Sequence, residues 1–267
     1  MNKIFKRTLL SSLVVPFAVG VQFASAAPIS NWTYDVDSNF SSVVYTSGGT
    51  GNQSTTSNLL SWGGTDPDDR SSVGITDVNS SDPGAPVLVT GNPAINGGVF
   101  SHDNNIIAGT HDTLKSFTLT STLTLEPDPQ TTPNLTETLG PLDFNAFFTE
   151  TPNAGPCAGG TPTPCQDIFT LANPGAFDFE QSFDFDGYTY TVMLELIGLT
   201  TLAPALCDAA DAPANCVGLV TQEDALNTFQ TKFSISAAAI VPEPGTLALL
   251  GMGLAGLGLT RRRKSAK

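Results

Sequence analysis

The chain has 267 residues, with 25 acidic against 11 basic side chains and a formal net charge of −14. Three basic residues, Arg70, Lys115 and Lys232, face 24 acidic ones between Ala27 and Ile240, a net charge of −21 for that stretch. Such a surface repels phosphate backbones and anionic headgroups, which excludes nucleic acid as a partner and leaves cations or neutral sugars.

In chain order, residues 1–26 read as a signal peptide. A basic head (Lys3, Lys6, Arg7) precedes an apolar run from Leu9 to Val19, and Ala24-Ser25-Ala26 offers signal peptidase a small-x-small site just before Ala27. The body is therefore expected to be exported. From Ala27 to about residue 112 the chain is rich in Ser, Thr, Gly, Asn and Asp, with isolated apolar positions such as Trp32, Tyr34, Leu60 and Trp62. No helical spacing recurs, so this region reads as short strands joined by long turns.

The clearest strand runs from Lys115 to Leu125, where Phe117, Leu119, Leu123 and Leu125 alternate with threonines. It is expected to stop at Glu126-Pro127-Asp128-Pro129, where prolines remove ladder donors. A hairpin follows: Phe177, Phe179, Phe183 and Phe185 alternate with polar residues, Asp186-Gly187 turns the chain, and Tyr188 to Ile197 returns. Asp-Gly between alternating runs predicts a type I′ turn, because both central residues need a positive φ. A last strand is predicted over Thr228–Ile235. Together these predict an all-β fold, a single antiparallel β-sandwich or jelly-roll-like domain over residues 27–240, long enough to be stable alone.

Four cysteines, Cys157, Cys165, Cys207 and Cys216, lie in Pro- and Gly-rich segments. In an oxidising compartment an even number reads as disulfides. Of the three pairings, 157–165 with 207–216 closes the shortest loops. Zinc ligation is the alternative, disfavoured by spacings wider than a C-x2–4-C pair.

The tail reads Val241-Pro242-Glu243-Pro244-Gly245-Thr246, then an apolar Gly/Leu segment from Leu247 to Leu259, then Thr260 and the basic cluster Arg261, Arg262, Arg263 and Lys264. An uncharged segment followed by four basic residues places its end on the cytoplasmic side of a membrane. Leu247 to Thr260 is shorter than the ~20 residues needed to cross the hydrocarbon core, so anchoring is marginal. This order over residues 241–267 resembles the PEP-CTERM sorting signal. The resemblance implies processing by an exosortase, with Pro242, Glu243 and Pro244 as recognition residues and Arg261 to Lys264 setting orientation. It also implies a Gram-negative host that makes extracellular polysaccharide, transient anchoring in the inner membrane, and a final place at the cell surface or in the extracellular matrix.

Within the body, Ser101-His102-Asp103-Asn104 resembles the motif of the THxN family of PEP-CTERM proteins, with Ser101 in place of the threonine. Thr110-His111-Asp112-Thr113 is a second, partial copy without the asparagine. This resemblance implies a class and no reaction. Both histidines are followed by aspartate, so a metal site using His102 and His111 with Asp103 or Asp112 is conceivable. The plainer reading is a hydrogen-bonded turn formed by Ser101, His102 and Asn104.

Asp66-Pro67-Asp68-Asp69 and Asp184-Phe185-Asp186-Gly187 invite calcium, but neither has the EF-hand spacing. No cofactor is required by any motif, and calcium is left open only by the uncompensated acid. No G-x-S-x-G elbow, P-loop or H-E-x-x-H occurs, which favours a non-catalytic domain. The alternative is a secreted carbohydrate- or calcium-binding module, with Trp32, Trp62 or tyrosines stacking on sugar rings.

Overall fold

A computed structural model describes residues 27–131, 133–161, 163–172 and 179–240. The signal peptide and the sorting tail, with Pro242, Glu243, Pro244 and Arg261 to Lys264, lie outside these residues. Two curled antiparallel sheets face each other, as the all-β reading expects.

The strands in chain order are β1 (Asn31–Tyr45), β2 (Asn52–Thr55), β3 (Leu59–Gly63), β4 (Arg70–Ile75), β5 (Val78–Asn79), β6 (Leu88–Val89) and β7 (Ile95–Asn104). They continue as β8 (Leu114–Pro127), β9 (Glu137–Thr149), β10 (Asp167–Leu171), β11 (Phe179–Phe185), β12 (Tyr188–Leu196) and β13 (Thr200–Thr201). A short helix α1 (Pro204–Ala209) precedes β14 (Val217–Thr221) and β15 (Ala225–Ala239). The first sheet runs β13-β14-β10-β9-β8-β1-β5, with β6 also paired to β1. The second runs β11-β12-β15-β7-β4-β3-β2.

The hairpin forms as its residues dictate. Phe185 pairs with Tyr188 and Phe183 with Tyr190, while Asp186 and Gly187 take φ of 46° and 80°. Gly187 supplies a conformation that side chains resist, which is why Asp-Gly is favoured there. Phe177 lies outside the described residues. The predicted strand from Lys115 extends as β8 to Pro127, and the predicted last strand extends in both directions as β15.

One expectation is corrected. Residues 27–112 do not hold short strands alone, because β1 is 15 residues long and pairs with β8 from Trp32↔Pro127 to Tyr45↔Leu114. Its inward series is Trp32, Tyr34, Val36, Ser38 and Phe40, and a serine in the middle hides the period of two. Ser38 is buried because its hydroxyl meets Ser121 Oγ at 2.9 Å across the ladder.

Two apolar clusters fill the space between the sheets. One gathers Trp62, Phe100, Phe117, Phe148 and Phe169. The other gathers Trp32, Tyr34, Leu125, Tyr190 and Phe233. Strand β10 is buried on both faces, since α1 and the Cys207–Cys216 disulfide cover its outer side at Ile168. Both disulfides pair as short-loop closure favours, Cys157 with Cys165 and Cys207 with Cys216.

Candidate functional site

Side chains alternate across a strand, so residues two apart share a face. On four strands the face that fills the core ends in a polar group. Ala146 and Phe148 lead to Glu150, just past β9. Phe169 and Leu171 follow Asp167, the first residue of β10. Leu219 leads through Thr221 to Glu223, just past β14. Phe100 leads to His102 and Asn104, at the end of β7 in the opposite sheet. The apolar members of all four series belong to one core cluster.

Register then brings the polar ends together. Ile168 pairs with Thr149 and Asp167 with Thr221, so the end of β9, the start of β10 and the end of β14 coincide. Glu223 lies on the short connection by which the chain crosses from β14 in the first sheet to β15 in the second. Asn227 clamps that connection, accepting from Gln222 N at 2.9 Å and donating to Gln222 O at 3.0 Å. Carboxylate oxygens of Glu150, Asp167 and Glu223 consequently lie within 4.8 Å of one another.

Few donors reach this cluster. Trp62 Nε1 donates to Glu150 Oε2 at 3.0 Å, and Thr151 N donates to Asp167 Oδ1 at 2.8 Å. Glu150 Oε1, Asp167 Oδ2 and both oxygens of Glu223 are shielded from water with no hydrogen-bond partner. Asn104 Oδ1 and His102 Nε2 are in the same condition, in residues 0 % and 1 % exposed. The Asn104 amide lies close enough to Glu223 to favour its charged form, but in ordinary geometry it reaches only the Thr221 carbonyl, at a long 3.5 Å. No Lys or Arg forms an ion pair with the cluster among the described residues; Arg70 spends its guanidinium on the carbonyls of Gly64 and Thr65.

The electrostatics follow from that shortage. Burial, with the Glu223 charge adding to it and the Trp62 hydrogen bond opposing it, pushes the Glu150 carboxyl up to about 8. Burial and the neighbouring Glu150 push Asp167 up to about 9. Glu223 is raised by burial too, with Asn104 and Asp167 offsetting part of the effect. His102 is lowered to about 3 because burial penalises its cation. Three carboxylates in a low-dielectric site have two ways to become neutral: take up protons, or share a cation.

Ser101, His102 and Asn104 lie within strand β7, so the expected turn is not formed. His102 instead stacks on Trp62, meets Phe148 edge-on, and bonds through Nδ1 to Thr221 Oγ1 at 2.9 Å. His111 bonds to Thr50 Oγ1 and forms no ligand group with His102 among the described residues. Asp66 caps a 3-10 turn by accepting from Asp68 N, and Asp184 accepts from Thr189 Oγ1 beside its hairpin turn, so both clusters serve local structure. Trp32 and Trp62, offered as sugar platforms, are 1 % and 0 % exposed and present no face to solvent. Glu150, Asp167 and Glu223 were not anticipated; their signal is a carboxylate standing in an otherwise apolar period-two series.

Residues 241–264 match the family model of the PEP-CTERM protein-sorting motif. The match marks the chain as an exported, exosortase-targeted protein with a membrane-anchored sorting tail. It does not reach the THxN-like segment. A search of curated proteins finds no match. Among the described residues no helix is long and apolar enough to cross a membrane.

Proposed function

We propose that this exosortase-targeted chain is a non-catalytic β-sandwich that joins the cell surface or its extracellular polysaccharide matrix once its sorting tail is removed. The observation that carries the reading is the PEP-CTERM motif, placed directly after the last strand. β15 ends at Ala239, and Ile240 N is held by the Gly187 carbonyl at 2.8 Å, so Pro242 follows the folded edge by two residues. Cleavage near Pro-Glu-Pro therefore leaves both sheets complete.

Two observations support a domain without catalysis. His102, with its pKa near 3, is too weak a base to accept protons near neutrality. Among the described residues no Lys or Arg pairs with the buried acids to serve as a cationic donor beside them. Neutral polysaccharide suits the acidic body better than an anionic polymer does.

Intact-mass measurement of protein recovered from the cell surface tests the reading. Loss of residues 1–26 and of the segment after Pro-Glu-Pro is expected, together with co-sedimentation with the host's own polysaccharide. A surface protein that retains Arg261 to Lys267 overturns the sorting route, and failure to co-sediment overturns the matrix role.

A further inference from the structure

We propose that Glu150, Asp167 and Glu223, with the amide oxygen of Asn104, hold one calcium ion, and that this ion ties the two sheets together at that end of the sandwich. Five oxygens there are buried without a partner: Glu150 Oε1, Asp167 Oδ2, Glu223 Oε1 and Oε2, and Asn104 Oδ1. Buried polar atoms are almost always hydrogen-bonded, and here carboxylate oxygens of three acids lie within 4.8 Å of one another with the Asn104 side chain beside Glu223, so the group must either share protons or hold a ligand. The three carboxylates come from the first sheet and its crossing connection, whereas Asn104 comes from β7 of the second. Asn104 is an observation independent of the acids, since it is a neutral side chain of the opposite sheet, 0 % exposed, whose amide oxygen has no hydrogen-bond partner.

The donor chemistry selects the ion. An all-oxygen set rich in carboxylate suits a hard cation. Magnesium keeps several waters and demands octahedral geometry, while calcium accepts six to eight oxygens in irregular arrangements and tolerates bidentate carboxylates. A site roofed by Trp62 and shielded from water therefore favours calcium. Two positive charges against three negative ones remove most of the repulsion that no Lys or Arg relieves.

Trp62 supplies the probe. Its Nε1 lies 3.0 Å from Glu150 Oε2, so terbium bound at these carboxylates accepts excitation from the indole. The exported protein, stripped with EGTA and titrated with terbium, is expected to give saturable sensitised emission that calcium displaces, with one calcium bound in calorimetry. Trp62→Phe is expected to abolish the emission while calorimetric calcium binding persists at reduced affinity, because Glu150 loses its Nε1 donor. Glu223→Gln should weaken calcium binding at least roughly tenfold. The same substitution removes one charge from an uncompensated cluster, so in EGTA its melting temperature should hold or rise. A variant that merely misfolds lowers melting temperature with and without calcium alike. The proposal is overturned by the absence of saturable calcium binding up to about 1 mM, the weak end of known protein sites, or by binding that Glu223→Gln leaves unchanged.

Discussion

His102 Nδ1 meets Thr221 Oγ1 at 2.9 Å, joining β7 of one sheet to β14 of the other across 119 residues of sequence. The bond lies beneath Trp62 and beside Phe148, so His102 acts as packing and polar link together. His102→Ala removes a buried ring and leaves the Thr221 hydroxyl without its partner, a combined cost of about 3–5 kcal/mol. Urea unfolding of the variant should show that loss, and a cost below about 1 kcal/mol would contradict the packing described.

Stability without calcium should depend on pH with a definite sign. Folded Glu150 and Asp167 hold their protons to about 8 and 9, against ordinary values of 4.5 and 3.8, and Glu223 shifts in the same direction. The folded state therefore binds more protons than the unfolded one, and stability falls as pH rises through that window. His102 opposes this only at lower pH: its folded value of about 3 lies below the ordinary 6.5, so its contribution is lost as pH falls through that range. Above about pH 6.5 the acids act alone. Asp224 is the further charge bearing on Glu223, and it acts in the same direction as burial. Urea midpoints in EGTA should decline steadily towards about pH 9, and saturating calcium should flatten the decline. A midpoint that rises over this range contradicts the buried cluster.

The parts of the fold that were legible are those encoded locally. Asp186-Gly187 needs only its own backbone preferences and its neighbours' alternation, and the hairpin forms as predicted. β1 was harder to see because Ser38 breaks its apolar series, and that serine is tolerated only through Ser121, 83 residues away. The carboxylate cluster demands more still. Glu150, Asp167 and Glu223 stand in apolar series that are visible once β9, β10 and β14 are known, but their meeting depends on strand order and register. The pairs at Asp68-Asp69 and Asp184-Asp186 are conspicuous in sequence but exposed, whereas Glu150, Asp167 and Glu223 are inconspicuous in sequence and meet where water is scarce.

The two disulfides should differ in worth. Loops of 8 and 9 residues in sequence separation predict nearly equal entropic contributions, about 2.5 kcal/mol each. Burial separates them. Cys207 and Cys216 are 0 % and 1 % exposed in a cluster with Ile168 and Leu206, whereas of the other pair Cys165 is 2 % exposed and only Cys157 is half-buried at the surface, outside that cluster. Cys207→Ala with Cys216→Ala also opens a void under α1, adding roughly 1 kcal/mol. Calorimetric melting should place this double variant a few degrees below Cys157→Ala with Cys165→Ala, at about 2–4 °C per kcal/mol for a domain of this size. Equal melting temperatures would mean that α1 collapses onto β10 and refills the space.

Gly218 offers a test of how closely β10 and β14 must approach. It pairs with Thr170, and a Cβ built there meets the Phe169 carbonyl oxygen directly. Backbone cannot swing aside as a side chain does, so Gly218→Ala must push the two strands apart or break their ladder. The expected cost is about 3 kcal/mol or more, at the upper end for single substitutions. Because Asp167 pairs with Thr221 three positions along the same ladder, the displacement should also misplace Asp167 against Glu223 and weaken calcium binding. Gly109, where an added Cβ meets nothing within 4 Å, is the matched control. Gly109→Ala should leave both unfolding midpoint and calcium affinity unchanged. If Gly218→Ala lowers stability but keeps full affinity, the carboxylates are positioned by their flanking turns, with the Asn227 clamp on Gln222 sufficient to hold Glu223 in place.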